Sequence, residues 1–196
     1  MRLVESWINP FTYCSILMER KDNIYLIGFM GSGKSTIGQL LAKELSYQWL
    51  DLDELIVQRN QMSVRKIFAK YGERFFRKEE ATVLRNTLEK ENTVISCGGG
   101  TPCFEKNMDW INKHGISVFI DPSIEVIFHR LIKGQEKRPL LKDKNGLELK
   151  AFIADKLQAR RPIYEQAHIH FLQDQENVDA VQPIIKQIQA HHAGKP

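Results

Sequence analysis

Short, unbroken apolar runs alternate along this chain with longer stretches in which apolar residues recur every three or four positions. Ile24-Tyr25-Leu26-Ile27 is the first such run, and Thr93-Val94-Ile95-Ser96-Cys97 and Ser117-Val118-Phe119-Ile120 follow the same pattern. Runs this short, without polar alternation, read as parallel strands buried on both faces. Gln48-Trp49-Leu50 and Ile169-His170-Phe171-Leu172 read as two further strands. Helical spacing lies between them: Ile37, Leu40, Leu41 and Leu45 share one face, and Ile124, Ile127, Phe128 and Leu131 share another. Helices are also expected over residues 63–71, 72–90, 104–114, 147–160 and 178–191. Asp121-Pro122 is expected to open the helix carrying Ile124, with Asp at the N-cap and Pro at the first helical position. Strands alternating with helices in this way form an α/β sheet.

The pattern lapses in two places. Residues 1–22 are expected to be a poorly ordered tail, in which Glu5, Asn9 and Pro10 interrupt any apolar stretch of the kind a secretory signal needs. The compact fold is expected to begin near Met18, and residues 23–196 to form one domain. Residues 133–146 are basic, contain glycine and lack periodicity, so they read either as a mobile lid or as a solvated loop.

Composition narrows the class. With 42% hydrophobic and 27% charged residues over 196 positions, this is an ordinary globular chain. A net charge of +4 and a pI near 8.9 suit anionic small substrates. No dense Lys/Arg block points to nucleic acid, and no apolar run approaches a membrane span. Cys14, Cys97 and Cys103 lack paired spacing, which argues for a reducing compartment, so a cytoplasmic protein is expected. Cys97 and Cys103 read as buried or half-buried thiols. The histidines show no metal-ligand spacing, and His191-His192 is expected to be solvated.

The strongest chemical signal stands between the first strand and the first helix. Gly28-Phe29-Met30-Gly31-Ser32-Gly33-Lys34-Ser35 fits G-x-x-x-x-G-K-[ST] at every fixed position. Its glycines let backbone N–H groups turn inward around a polyphosphate, and the helix N-terminus adds partial positive charge. Lys34 then reaches the β and γ phosphates, while the Ser35 hydroxyl ligates Mg²⁺. Asp51 and Asp53 close the second strand, where ligands bind in α/β sheets. They serve Mg²⁺ and a phosphate acceptor, or they cap the next helix. Arg77 is either a carboxylate clamp or a surface partner of Glu73 or Glu80, and Phe76 reads as core. Gly98-Gly99-Gly100 admits either close approach of a ligand or a tight turn. Arg138 is a candidate for neutralising a transferring phosphoryl group.

The phosphate loop alone specifies a superfamily. Together with Asp51-Leu52-Asp53, Phe76-Arg77, Gly98-Gly99-Gly100, Arg138-Pro139-Leu140 and Arg160-Arg161-Pro162-Ile163-Tyr164, it resembles the shikimate kinase family over residues 22–190. The resemblance implies an α/β, three-layer P-loop NTPase fold of the nucleoside monophosphate kinase-like group. That fold has a five-stranded parallel sheet, flanking helices and a mobile lid. The implied reaction moves the γ-phosphoryl group of ATP to the 3-hydroxyl of shikimate, a step towards chorismate and the aromatic amino acids.

On the same resemblance, Gly31, Ser32, Gly33, Lys34, Ser35, Thr36 and Arg138 hold the nucleotide, and Ser35 and Asp51 hold Mg²⁺. Lys34, Asp53 and Arg138 are the catalytic candidates, with Asp53 both holding the acceptor hydroxyls and serving as base. Arg77 and Arg160 clamp the shikimate carboxylate, and Gly98, Gly99 and Gly100 form its glycine wall. Arg130 lies near the adenine-stacking arginine of the family. The acceptor-binding region is expected over residues 53–90 and the lid over residues 133–146. A monomer acting on ATP and shikimate is expected, without nucleic-acid or membrane partners. Two rivals are another small-metabolite kinase of this fold, such as a gluconate kinase, and a nucleotide-dependent switch. Gly98-Gly99-Gly100 and Arg138-Pro139-Leu140 argue against the first. The second finds no guanine-reading Asn-Lys-x-Asp segment.

Overall fold

The computed structural model describes residues 22–133, 146–175 and 179–194. Five parallel strands form one sheet: β1 (Ile24–Ile27), β2 (Gln48–Asp51), β3 (Thr93–Ser96), β4 (Ile116–Pro122) and β5 (Ile169–Gln173). Their spatial order is β2-β3-β1-β4-β5. β1 lies in the middle, with Ile24 opposite Val94 on one side and Ile116 on the other. β1, β3 and β4 are buried throughout, which is why their sequences show no polar alternation. The edge strands β2 and β5 are partly exposed.

Helices cover both faces. α1 (Lys34–Leu45) and α7 (Val181–Ala193) pack on one side, where Leu41 and Ile184 meet Ile24 and Leu26 of β1. α2 (Leu52–Asn60), α3 (Val64–Asn86), α4 (Asn107–His114), α5 (Ile124–Lys133) and α6 (Gly146–Tyr164) pack on the other. There Tyr25 and Ile27 meet Leu52, Leu84, Ile127 and Ile153. The alternation of side chains along β1 thus feeds two separate cores, giving the expected three-layer arrangement. α3 is broken at Gly72 (φ 77°, ψ 174°), at the expected boundary between two helices.

Three expectations are corrected. Asp121 and Pro122 belong to β4, and Ser123 caps α5 instead, its hydroxyl accepting from the Val126 N–H at 3.3 Å. Asp121 is buried, and Arg161 and His170 occupy its carboxylate oxygens. α4 starts at Asn107 and not at Phe104, because Glu105 and Lys106 adopt φ of 51° and 54°. His191-His192 is not solvated: the end of α7 returns to the start of β1, where His192 is buried with its Nε2 3.2 Å from Asp22 Oδ2. The His191 ring lies 4.9 Å from that of His168. Residues 1–21 of the expected tail and 134–145 of the expected lid, Arg138 included, lie outside the described residues. Among the described residues, no helix is long and apolar enough to cross a membrane.

Candidate active site

Residues 28–33 connect β1 to α1 at the carboxyl edge of the sheet, between β3 and β4, where α/β folds bind ligands. Gly28 has φ 139°, and a Cβ there would lie 2.5 Å from the Ile120 carbonyl oxygen of β4. Only glycine fits that position. The buried Lys34 ammonium donates to the Gly28 and Phe29 carbonyls at 2.8 Å each and contacts Ser32 Oγ at 3.2 Å. Arg130 of α5 brings a second cation to the loop. It donates to the Ser32 carbonyl at 3.0 Å and to Gln173 Oε1 at 3.3 Å.

Asp51 serves two neighbours at once. Its Oδ2 accepts from Ser35 Oγ at 2.8 Å, and its Oδ1 accepts from the Asp53 N–H at 3.0 Å. The capping reading of this carboxylate holds, and its second oxygen faces Ser35 of the phosphate loop. Asp53 follows in the first turn of α2, its pKa pushed up to about 6. Burial is the main cause, and the charges of Asp51 and Glu80 add to it, outweighing Lys34 and Arg77. A cavity of about 400 Å³ opens here, lined by Lys34, Ser35, Asp51, Asp53, Gly98 and Arg130 among others.

Glycines 98–100 form the tight turn, closed by the Thr101 N–H on the Gly98 carbonyl at 3.0 Å, although none of them has a positive φ. Gly98 and Gly100 make room for side chains, and Gly99 for the backbone of the phosphate loop, where a Cβ would lie 3.1 Å from the Met30 nitrogen. A Cβ on Gly98 would lie 2.9 Å from carboxylate oxygens of both Asp53 and Glu80, and one on Gly100 would lie 2.5 Å from Arg77 Nη1. Arg77 donates to Glu80 Oε2 at 2.9 Å and to Glu73 Oε1 at 3.0 Å, and its guanidinium sits 4.2 Å over the Phe104 ring. Arg160 of α6 donates to the Gly99 carbonyl at 3.2 Å, and the Tyr164 hydroxyl donates to the same oxygen. Two carboxylates, Asp53 and Glu80, and two guanidiniums thus meet at a glycine ridge beside a phosphate loop.

The family model for shikimate kinase matches residues 30–189, through the loop, the ridge and the end of α6. The chain belongs to the shikimate kinase family. It is 43% identical over 152 residues to the shikimate kinase of Phocaeicola vulgatus, covering 78% of this chain and 87% of that one. The crystal structure of shikimate kinase from Bacteroides thetaiotaomicron superposes with a TM-score of 0.80 at 37% identity, covering 88% of this chain and 98% of its own. That of Acinetobacter baumannii shikimate kinase, in complex with shikimate, gives 0.78 at 32% identity, covering 92% and 98%. A gluconokinase from Sinorhizobium meliloti, at 17% identity and a TM-score of 0.52, shares the fold alone. The chain is therefore a kinase that phosphorylates shikimate at the expense of ATP.

Within this shikimate kinase fold, Gly31, Gly33, Lys34, Ser35, Thr36 and Asp51 line the cavity, Ser32 is buried behind it, and Arg77 and Arg160 stand against Gly100 and Gly99 of the ridge without lining it. Glu80 is a buried partner of Arg77 and not the surface partner expected from the sequence. It is 1% exposed, and its second oxygen accepts from Thr101 Oγ1 at 2.6 Å. The signal was present: Glu80 falls on the apolar stripe of α3 formed by Phe76, Val83 and Leu84. A glutamate there needs a partner. The motif Arg160-Arg161-Pro162-Ile163-Tyr164 gives no sign of what Tyr164 does, and the structure supplies it: a hydrogen bond to the ridge. Burial pushes its phenol pKa up, which keeps it an O–H donor to Gly99. Burial likewise raises the Cys97 thiol beside the cavity and leaves it unreactive.

Proposed function

We propose that the 3-hydroxyl of shikimate is the acceptor, that Asp53 takes its proton, and that Arg77 and Arg160 hold the shikimate carboxylate. The observation that carries this reading is the convergence of Asp53, Arg77 and Arg160 on Gly98-Gly99-Gly100. A small polyhydroxy acid needs cationic donors for its carboxylate and an acceptor for its hydroxyls, and the ridge offers both. A carboxylate poised near 6 is ionised at neutral pH yet basic enough to draw a proton from an attacking alcohol. Lys34 and the loop N–H groups hold the phosphates and neutralise their charge. Arg138 joins them on the family resemblance.

The Ser35 hydroxyl and the Asp51 carboxylate, 2.8 Å apart, are hard oxygen donors of the kind Mg²⁺ takes beside phosphates and water, so they fit that ion. Mg²⁺ held there supplies charge neutralisation at the β and γ phosphates. One chain carries every residue the reading uses, so a monomer suffices. The thiols Cys97 and Cys103, both unpaired among the described residues, suit the cytoplasm.

The test is ADP release from Mg-ATP with shikimate, with gluconate and without an acceptor, together with phosphorus NMR of the product. Release that requires shikimate, with phosphate on the 3-hydroxyl, is the expected result. Phosphate on another hydroxyl, or gluconate-dependent release, overturns the assignment.

A further inference from the structure

β4 ends in a carboxylate that the reaction does not use. Asp121 is 4% exposed. Arg161 Nη1 donates to its Oδ2 at 2.7 Å and Nη2 to its Oδ1 at 2.8 Å, a bidentate fork, and His170 Nε2 lies 2.8 Å from Oδ2. A carboxylate this buried persists only with such partners. The fork grips the last turn of α6 where its main chain is weakest, because Pro162 inside the helix has no N–H to donate to the Gln158 carbonyl.

The same turn carries Arg160 and Tyr164, which both bind the Gly99 carbonyl. Side chains therefore fix this turn at two points, Asp121 and Gly99. Phe119 joins the two anchors. Its ring stacks on His170 at 4.7 Å and 12°, lies 5.1 Å from the Tyr164 ring, and sits 5.9 Å from the Arg161 guanidinium. Arg161 is 37% exposed and binds Asp121, whereas Arg160 binds the ridge, so Arg161 bears on the acceptor site through the turn the two share.

We propose that Asp121 is a positioning residue for the acceptor site: its fork with Arg161 sets the last turn of α6 and thereby where Arg160 meets the shikimate carboxylate. The proposal rests on the reading of Arg160 as a carboxylate clamp. Asp121 does not line the cavity beside Lys34, and its carboxylate is held by Arg161 and His170. Its effect is expected to be selective because the nucleotide side of the cavity is built from the loop after β1, the end of β2 and Arg130 of α5, apart from the turn of α6 that the fork holds.

The experiment is steady-state kinetics on the full chain for Asp121→Asn, Arg160→Ala and the double variant, with melting temperatures measured alongside. Asp121→Asn keeps the side-chain shape but weakens the fork, and the half-exposed Arg161 is hydrated when released. The expected result is a rise of roughly tenfold in KM for shikimate, with KM for ATP changed by less than about twofold. In the Arg160→Ala background, Asp121→Asn adds no further rise. A purely structural Asp121 lowers the melting temperature and kcat while leaving KM for shikimate unchanged. That outcome, equal rises in both KM values, or additivity with Arg160→Ala overturns the proposal. An unchanged KM for shikimate in Arg160→Ala alone refutes the clamp itself, and the proposal falls with it. If Asp121→Asn does not fold, Arg161→Lys on the exposed side of the same pair carries the test, because a lysine cannot fork. It is expected to show the same acceptor-selective rise, and its absence overturns the proposal.

Discussion

Ser35 Oγ donates a 2.8 Å hydrogen bond to Asp51 Oδ2, joining the first turn of α1 to the end of β2 across the mouth of the cavity. Ser35 is exposed, so removing its hydroxyl leaves the core intact. Ser35→Ala is expected to raise the Mg²⁺ concentration for half-maximal activity roughly tenfold, with an unchanged melting temperature. Asp51→Asn keeps an acceptor for the Asp53 N–H but loses the charge, and is expected to do the same. A Mg²⁺ titration of ADP release checks both. An unchanged midpoint removes the pair from the metal site.

Asp53 gives a pH dependence of determined sign. Its pKa in the folded protein, about 6, exceeds the ordinary 3.8. Turnover is therefore expected to fall as pH drops through about 6, where the base becomes protonated. Asp53→Asn is expected to lose roughly 10²- to 10⁴-fold in kcat while keeping nucleotide affinity, measured by calorimetric titration. Near-normal turnover would exclude Asp53 as the base.

The same shift makes a stability prediction. A carboxylate whose pKa is raised on folding binds its proton more tightly in the folded state, so its ionisation costs stability as pH climbs from 3.8 to about 6. Above that window the cost is complete, on the order of 3 kcal/mol. Asp53→Asn is expected to melt several degrees above the parent at pH 7 and at about the same temperature at pH 4. An equal difference at both pH values contradicts the assignment.

Arg77 combines two duties that a double variant separates. Arg77→Ala raises KM for shikimate and leaves Glu80 buried without its guanidinium, at a cost of about 3 kcal/mol. Arg77→Ala with Glu80→Gln is expected to regain most of the lost stability and none of the shikimate affinity. Urea unfolding and KM measurements read the two separately. Recovery of both together makes Arg77 a structural residue only.

Gly100→Ala probes the ridge directly. The added methyl would stand 2.5 Å from Arg77 Nη1, so the guanidinium must move. A rise of roughly tenfold in KM for shikimate, with KM for ATP unchanged, is the expected outcome. Equal KM values for Gly100→Ala and its parent break the link between the ridge and the acceptor.

Much of this architecture was legible because it is local. The runs at residues 24–27, 93–96 and 116–120 are buried on both faces of the sheet, and apolar continuity is the direct mark of that. The loop from Gly28 to Ser35 announces itself because a tight phosphate cradle needs glycine, lysine and a hydroxyl at set intervals. The Gly72 break was readable for the same reason, since φ 77° strains any other residue. Asp121 was misread because Asp-Pro is a good local helix opening, yet β4 continues through both residues when β5 pairs with it.

By itself, then, the sequence determined the alternation of strands and helices, the phosphate loop and the family. Those depend on residues a few positions apart, whose spacing the chain geometry sets. Tertiary structure alone decided that Glu80 is buried against Arg77 and Thr101, that Gly98 and Gly100 yield to side chains, and that Asp121 grips Arg161. Arg160 meets Gly99 across 61 positions and Arg161 meets Asp121 across 40, contacts created only when the strands take the order β2-β3-β1-β4-β5. No local pattern encodes such a meeting, because the side chains involved become neighbours only once the sheet has brought their strand and helix ends to one edge.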